Sequence, residues 1–157
     1  NAVADRHGWA RFISNQPEYS PVNRRIEQEV IPAGLADGVG QIVYFPLAGG
    51  LFTGKYRRGQ APPPDSRAAK QGTRFTDRWF TPANFDLAEA MEEVAGEAGL
   101  TLPQLTLAWV MARPGVTSAI VGASRPEQVA QNVTACEVEL PQEVMDRVTQ
   151  LSEPFVR

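Results

Sequence analysis

Three short stretches hold side chains whose types and spacing suit the capture of a flat, charged organic ligand. The first is Ser14-Asn15-Gln16-Pro17-Glu18-Tyr19. Asn and Gln amides set a donor beside an acceptor, so at a strand tip they can pair with a planar amide. The alternative is that they cap neighbouring backbone. The second stretch is Ile42–Tyr56, IVYFPLAGGLFTGKY. Its apolar run ends at Tyr44, whose ring can stack on a flat heterocycle or pack in the core. Gly49 and Gly50 then let backbone N–H groups approach a phosphate, and Lys55 follows with a positive charge. The third runs from Gly122 through Ala123, Ser124, Arg125 and Pro126 to Gln128, Gln131 and Asn132. Free N–H groups at a helix start, a serine hydroxyl and an arginine make a phosphate site. A well-capped crossover helix that binds nothing is the alternative there. Gln128 and Asn132 are spaced i, i+4 and share a face, while Val129 and Val133 are predicted to face the core.

Each stretch needs an element that ends where the chemistry begins. Ala2–His7 reads as a last helical turn stopped by Gly8. Arg11–Gln16 reads as a short buried strand, and Pro17 and Pro21 frame the turn after it. Val22, Ile26 and Val30 recur at helical spacing, with Gly34 and Gly38 ending that helix. Gln41–Phe45 is the second predicted strand. Residues 46–82 form a long, locally basic connection with Arg57, Arg58, Arg67, Lys70, Arg74 and Arg78. Connections of that length without structure are usually functional or disordered. Leu87, Met91, Val94 and Ala98 mark a helix that stops at Gly99. Thr101, Pro103 and Gln104 open another as a capping box, and Pro114 and Gly115 end it. Thr117–Gly122 is the third predicted strand. Ser124, with Pro126 in the first turn and Glu127 at the third position, predicts the N-cap of a helix running to about Ala135. Pro141–Leu151 is a last amphipathic helix with Val144, Val148 and Leu151 on one face. This alternation predicts parallel strands with helical crossovers. Ligands bind at the carboxyl ends of such strands. About three strands are visible, whereas a closed barrel of this type needs eight.

Composition narrows the classes. The 157 residues suffice for one ordinary domain, and an apolar fraction of 43% can bury a core. A net charge of −3 argues against a general nucleic-acid-binding surface. No apolar run approaches the roughly 20 residues of a membrane span. The opening NAVADRHGWARF is not a signal peptide and has no initiator Met, so the chain is expected to begin partway through a larger protein. Cys136, the single cysteine, is expected to be small and buried, and no internal disulfide can form. His7 is expected to be exposed or capping. Trp109 is assigned to the core, Glu18 to structural hydrogen bonds, and Glu92-Glu93 to a solvated helix face. Phe75, Trp79 and Phe80 either shape a pocket or dock the long connection.

Four segments extend these readings: NQPEY, YFPLAGGLFTGKY, LTLPQLTLAWVMARPGVTSAIVGAS and RPEQVAQN. In that order, over nearly the whole chain, they resemble the aldo-keto reductases, in particular members with a YSPLAxGLLTGKY-type motif, potassium-channel β subunits included. The resemblance implies an α/β fold: the C-terminal part, about three βα units, of a (β/α)8 TIM barrel. Residues 1–157 would be a single partial domain and 46–82 its cofactor and substrate loop. It also implies NADP(H) at the carboxyl ends of the strands. By resemblance, Gln16 would hold the nicotinamide carboxamide and Tyr44 would stack on its ring. Phe45, Pro46, Leu47, Ala48 and Gly49 would pass along the pyrophosphate, with Lys55 and Arg67 adding charge. Gly122, Ser124, Arg125 and Gln128 would surround the 2′-phosphate, and Gln131 and Asn132 would contact the adenine. A serine and an arginine, with no acid across Ser124–Pro126, favour NADP over NAD.

Two positions depart from the family pattern. Phe45 stands where serine is usual and loses a hydroxyl. Gln131 stands where some relatives have Glu. The family's catalytic Asp, Tyr, Lys and His come from the first half of the barrel, so no catalytic residue is expected here, neither His7 nor Tyr19 nor Tyr56. The implied activity is reversible hydride transfer from NADPH to an aldehyde or ketone, with a small carbonyl molecule as partner and the cytoplasm as setting. The second reading is a β-subunit-like nucleotide-binding regulator. A third, a different parallel α/β module with a phosphate site, predicts a sheet whose strand order is not continuous. An open barrel segment leaves sheet edges bare, so the isolated chain is expected to associate.

Overall fold

Residues 1–156 are described in a computed structural model of the chain. Three strands, β1 (Ser14–Asn15), β2 (Gly40–Tyr44) and β3 (Val116–Ile120), pair in parallel in the order β1-β2-β3. Sequential parallel order with helices between the strands is the arrangement of a (β/α)8 barrel wall. It sets aside the discontinuous sheet of the third reading. The sequence-predicted fold class therefore holds: an α/β segment consistent with the C-terminal part of such a barrel.

The central strand β2 is the best buried, with Val43 and Gln41 sealed from solvent. The Gln41 carboxamide donates to the Val39 carbonyl at 3.0 Å and accepts from Asn15 at 3.0 Å. β1 differs from its expected form: it is two residues long and exposed, and Phe12 and Ile13 before it stand open to solvent. The physical reason is its position at the sheet edge, with no strand on its outer side among the described residues. Its carboxyl end stays attached, because the Tyr44 N–H donates to the Pro17 carbonyl and the Tyr19 N–H to the Tyr44 carbonyl.

Helix ends follow local chemistry. α1 (Ala2–His7) stops at Gly8, whose φ of 64° is left-handed. α2 (Val30–Asp37) begins later than the Val22–Ile26–Val30 spacing predicts. A 3-10 turn at Arg25–Glu27 takes its place, because Ser20 and Asn23 exchange backbone bonds and the Arg24 N–H is drawn to the Phe155 carbonyl. Gly34 lies inside α2 rather than at its end, where any side chain would strike Gln41 at 2.3 Å. α5 (Pro82–Glu97) and α6 (Leu102–Met111) are N-capped by Thr81 and Thr101, and the Thr101–Gln104 capping box forms as predicted. Together with α8 (Gln142–Leu151), they bury Met91, Val94, Leu105, Trp109, Val110 and Val148 as the main core.

The long connection is not structureless. It holds 3-10 turns at Ala48–Thr53 and two short helices, α3 (Arg67–Gln71) and α4 (Thr73–Trp79). Phe75 and Trp79 are buried and dock it through an aromatic cluster with Tyr56, Phe80 and Phe85. Arg57 pairs with Glu92, and Arg58 with Asp86 and Glu89, tying the segment to α5. Glu92 is thus an ion-pair partner rather than part of a merely solvated face.

The last crossover departs most from expectation. α7 (Pro126–Thr134) takes Arg125, not Ser124, as N-cap. Pro126 forces the residue before it out of the helical region, and Arg125 is extended at φ −143°, ψ 147°. Val129 and Val133 are exposed rather than core-facing, and α7 has no buried residue. Ala135, not Cys136, takes the buried place after it, and Cys136 is exposed. Among the described residues no helix is long and apolar enough to cross a membrane.

A buried ionic network fastens the β1 end to the helical layer. Glu27 accepts from the Tyr19 hydroxyl, from Arg24 Nε and Nη2 at 2.8 Å each, and from Arg113 at 3.2 Å. Arg24 goes on to the Thr149 carbonyl at 2.7 Å and Ser152 Oγ at 2.9 Å. The Trp109 indole lies under both guanidinium groups, stacks with Tyr19 and donates to Thr149.

Candidate functional site

A cavity of about 690 Å³ opens at the carboxyl ends of β2 and β3. Its walls are the loop after β2, helix α3, and the turn leading into α7. Of the residues singled out in the sequence, Tyr44, Phe45, Pro46, Leu47, Gly49, Lys55, Arg67, Gly122, Ser124, Gln128, Gln131 and Asn132 line it. Two of the three stretches, far apart in sequence, thus meet around one space. The remaining three residues stand apart from the lining. Gln16 is exposed beyond β1, Arg125 is exposed at the α7 start, and Ala48 is buried beneath the loop. Sequence reasoning missed Asp65, Ser66 and Gln71 as wall residues and noted Lys70 only as part of a basic segment. No periodic signal marks them, because α3 is only five residues long.

The loop after β2 is built close to the backbone. Phe45 (φ 57°) and Ala48 (φ 48°) are the non-glycine residues with positive φ among those described, and Gly49 and Gly50 follow at 67° and 104°. Such sparsely populated conformations cluster at ligand clamps. A side chain on Gly50 would lie 2.9 Å from Lys55 Nζ, so the ammonium rests against bare backbone, over the Tyr56 ring at 5.0 Å. The Thr53 hydroxyl donates to the Gly50 carbonyl at 2.7 Å and closes the turn.

On the opposite wall the Ser124 N–H and hydroxyl both donate to the Gln128 carboxamide oxygen, at 2.8 and 3.1 Å. Two donors therefore converge on one acceptor oxygen at the entry to α7. Arg67 reaches over from α3 until its Nη2 lies 3.9 Å from where a side chain on Gly122 would begin. The charged groups lining the cavity are Lys55, Arg67 and Lys70 against Asp65, a balance that favours an anionic occupant.

His7, Tyr19 and Tyr56 are not among the residues that line this space. His7 is exposed and stacked on Trp9. The Tyr56 hydroxyl accepts from the Ala68 N–H at 3.3 Å. Tyr19 is sealed in the ionic network, where burial first, and the bond to Glu27 second, raise its pKa. Among the described residues no three His, Cys, Asp or Glu side chains are placed to hold a metal ion. A smaller hollow of about 330 Å³ lies beyond Trp79. Glu18 there accepts from Asn23 at 2.9 Å and from Arg78, the structural role expected of it.

The aldo/keto reductase family profile matches residues 1–153. The chain belongs to that family. It is 38% identical over 82% of its length to the L-glyceraldehyde 3-phosphate reductase of Escherichia coli O157:H7, covering 38% of that protein. It is 36% identical over 95% of its length to a probable voltage-gated potassium channel subunit beta of Arabidopsis thaliana, covering 46% of it. A third relative, the NADH-specific methylglyoxal reductase of Escherichia coli K12, is 30% identical over 90% of the chain, which covers 42% of it. The chain thus spans less than half the length of these relatives, which include both reductases and a channel subunit.

Proposed function

We propose that this chain is the cofactor-holding C-terminal portion of an NADP(H)-dependent oxidoreductase that reduces aldehydes or ketones. One observation carries the reading: the loop after β2 and the α7 entry, apart in sequence, line a single cavity with three cations, one acid, and amide and hydroxyl donors. That donor set fits a dinucleotide bearing several phosphates. Tyr44 offers a ring at the β2 tip for a flat heterocycle, with Gln16, the residue after β1, for its carboxamide. The left-handed loop from Phe45 to Gly49, with Lys55 and Arg67, suits the pyrophosphate. Gly122, Ser124, Arg125 and Gln128 suit the 2′-phosphate, and Gln131 and Asn132 the adenine.

Bound NADPH supplies the hydride that reduces the carbonyl carbon. This chain's residues orient it, neutralise its charge and hold the ring at the strand tips. The proton donor lies outside the chain, in the family's Asp, Tyr, Lys and His set. The long connection carrying Trp79 borders the carbonyl substrate. The channel-subunit relative favours a second reading, in which nucleotide occupancy regulates a partner without turnover.

The test is NADPH-dependent reduction of 4-nitrobenzaldehyde by the full-length protein, with calorimetric binding of NADPH and NADH alongside. Turnover with tighter NADPH binding is the expected result. Tight binding without turnover selects the regulatory reading, and absence of binding overturns both. Tighter NADH than NADPH binding overturns the assignment of NADP.

A further inference from the structure

Phe45 sits where a large aromatic residue is out of place. Its φ of 57° lies in the left-handed region, which side chains of this size rarely adopt. The ring stands at the cavity rim, 36% exposed, rather than in the core. Tyr44 and Trp79 meet it edge-on from two sides, at 5.3 and 6.2 Å between centroids, and fix its orientation. The Arg67 guanidinium lies over the ring, 5.5 Å from its centre. Among the described residues Arg67 has no carboxylate partner, and its side chain makes no hydrogen bond. The ring contact is thus the one directional side-chain interaction of Arg67 among the described residues.

We propose that Phe45 is a positioning residue: its ring is the platform that holds the Arg67 guanidinium across the cavity, toward Gly122, to meet a phosphate of the bound dinucleotide. This rests on the nucleotide reading of the cavity. The aromatic face does what a hydroxyl could not. It fixes a cation through the ring quadrupole while leaving all five guanidinium N–H donors for the ligand. Pre-placing the charge removes the ordering cost that a free arginine would meet on binding.

The experiment is a double-mutant cycle on the full-length protein, read as the NADPH dissociation constant by calorimetry. Phe45→Leu keeps bulk and removes the aromatic face, and is expected to weaken binding about two- to fivefold, the range of an exposed cation–π contact. Phe45→Tyr is expected to bind like wild type. Arg67→Met is expected to weaken binding at least as much as Phe45→Leu, and the double variant no more than Arg67→Met alone. Phe45→Met replaces Phe45→Leu in the cycle if the leucine variant does not fold. Unchanged affinity in the leucine or methionine variant, or losses that multiply in full, overturns the positioning role while leaving the nucleotide site standing. Wild-type protein that does not bind NADPH takes the nucleotide reading down as well.

Discussion

Replacing Glu27 with alanine should be among the most damaging single changes to this fold, although Glu27 touches no part of the cavity. The carboxylate is only 15% exposed and accepts four hydrogen bonds, three of them from guanidinium groups. Arg24 is 3% exposed, so Glu27→Ala strands a buried cation. Its remaining side-chain partners are the Thr149 carbonyl, the Ser152 hydroxyl and the Trp109 ring, and none carries a charge. Removing one partner of such a pair costs about 3–5 kcal/mol. At about 2–4 °C per kcal/mol for a domain of 150–250 residues, and less for a longer chain, Tm should fall by roughly 5 °C. The pH dependence has a definite sign. Burial alone would raise the Glu27 pKa, but hydrogen bonds from Arg24 and Tyr19, and the charges of Arg113 and Arg24, bring it below its ordinary 4.5. A depressed folded-state pKa gives stability that is full above the unfolded value and lost as pH falls through the folded one. The Tm gap between wild type and Glu27→Ala should therefore be flat from pH 7 to about 5.5 and narrow below about 4.5. Calorimetric melts of the full-length protein across that range decide it. A gap under about 2 °C at neutral pH, or one that stays constant to pH 3, would refute this account.

Gly50→Ala puts a methyl 2.9 Å from Lys55 Nζ at a φ of 104°, so it should displace the ammonium and weaken NADPH binding by about tenfold, as measured by calorimetry. Wild-type affinity would show that Lys55 does not meet the ligand. Ser124→Ala removes a hydroxyl that now points at an acceptor oxygen. A hydrogen bond to a charged group is worth about 1.5–3 kcal/mol, so NADPH affinity should drop about tenfold or more while NADH affinity holds. Equal losses for both nucleotides would move the 2′-phosphate elsewhere. The isolated chain, with Phe12, Ile13 and Ile120 bare along the sheet edges, should elute from a sizing column as an assembly. A sharp monomeric two-state melt would contradict that.

Local signals carried well where a helix end was decided by its own neighbours. Thr101 and Gln104 made their capping box, Gly8 and Gly38 closed helices in the left-handed region, and the Met91–Val94 face went into the core. They failed where a distant partner intervened. The spacing of Val22, Ile26 and Val30 was helical, yet the backbone there answers to Phe155, at the far end of the chain. Ser124 had the composition of a cap, but Pro126 moved the helix start by one residue and turned that hydroxyl toward Gln128. Phe12, Ile13, Val129 and Val133 have the residue types of a core, and burial depends on what lies opposite, which no residue type records. The cavity was legible through the Ile42–Tyr56 and Gly122–Asn132 stretches. Asp65, Ser66 and Gln71 were not, because helices of five and seven residues are too short to show a period.

The chain's three tryptophans stand in three different surroundings. Trp9 is 63% exposed and stacked on His7, in the segment that leads into β1. Trp79 is buried against Gly49 and Phe45 at the cavity rim, and Trp109 is sealed beneath two guanidinium groups. Indole emission shifts with the polarity around the ring, so Trp9 should emit at the longest wavelength. A ligand that absorbs in the indole emission band should quench Trp79 most strongly, being nearest to it. Pairing along the sheet edge would blue-shift Trp9 alone, and loss of the ionic network would red-shift Trp109. The molecule thus carries one built-in optical probe each for edge, cavity and core, and events in the three regions can be told apart in a single unlabelled sample.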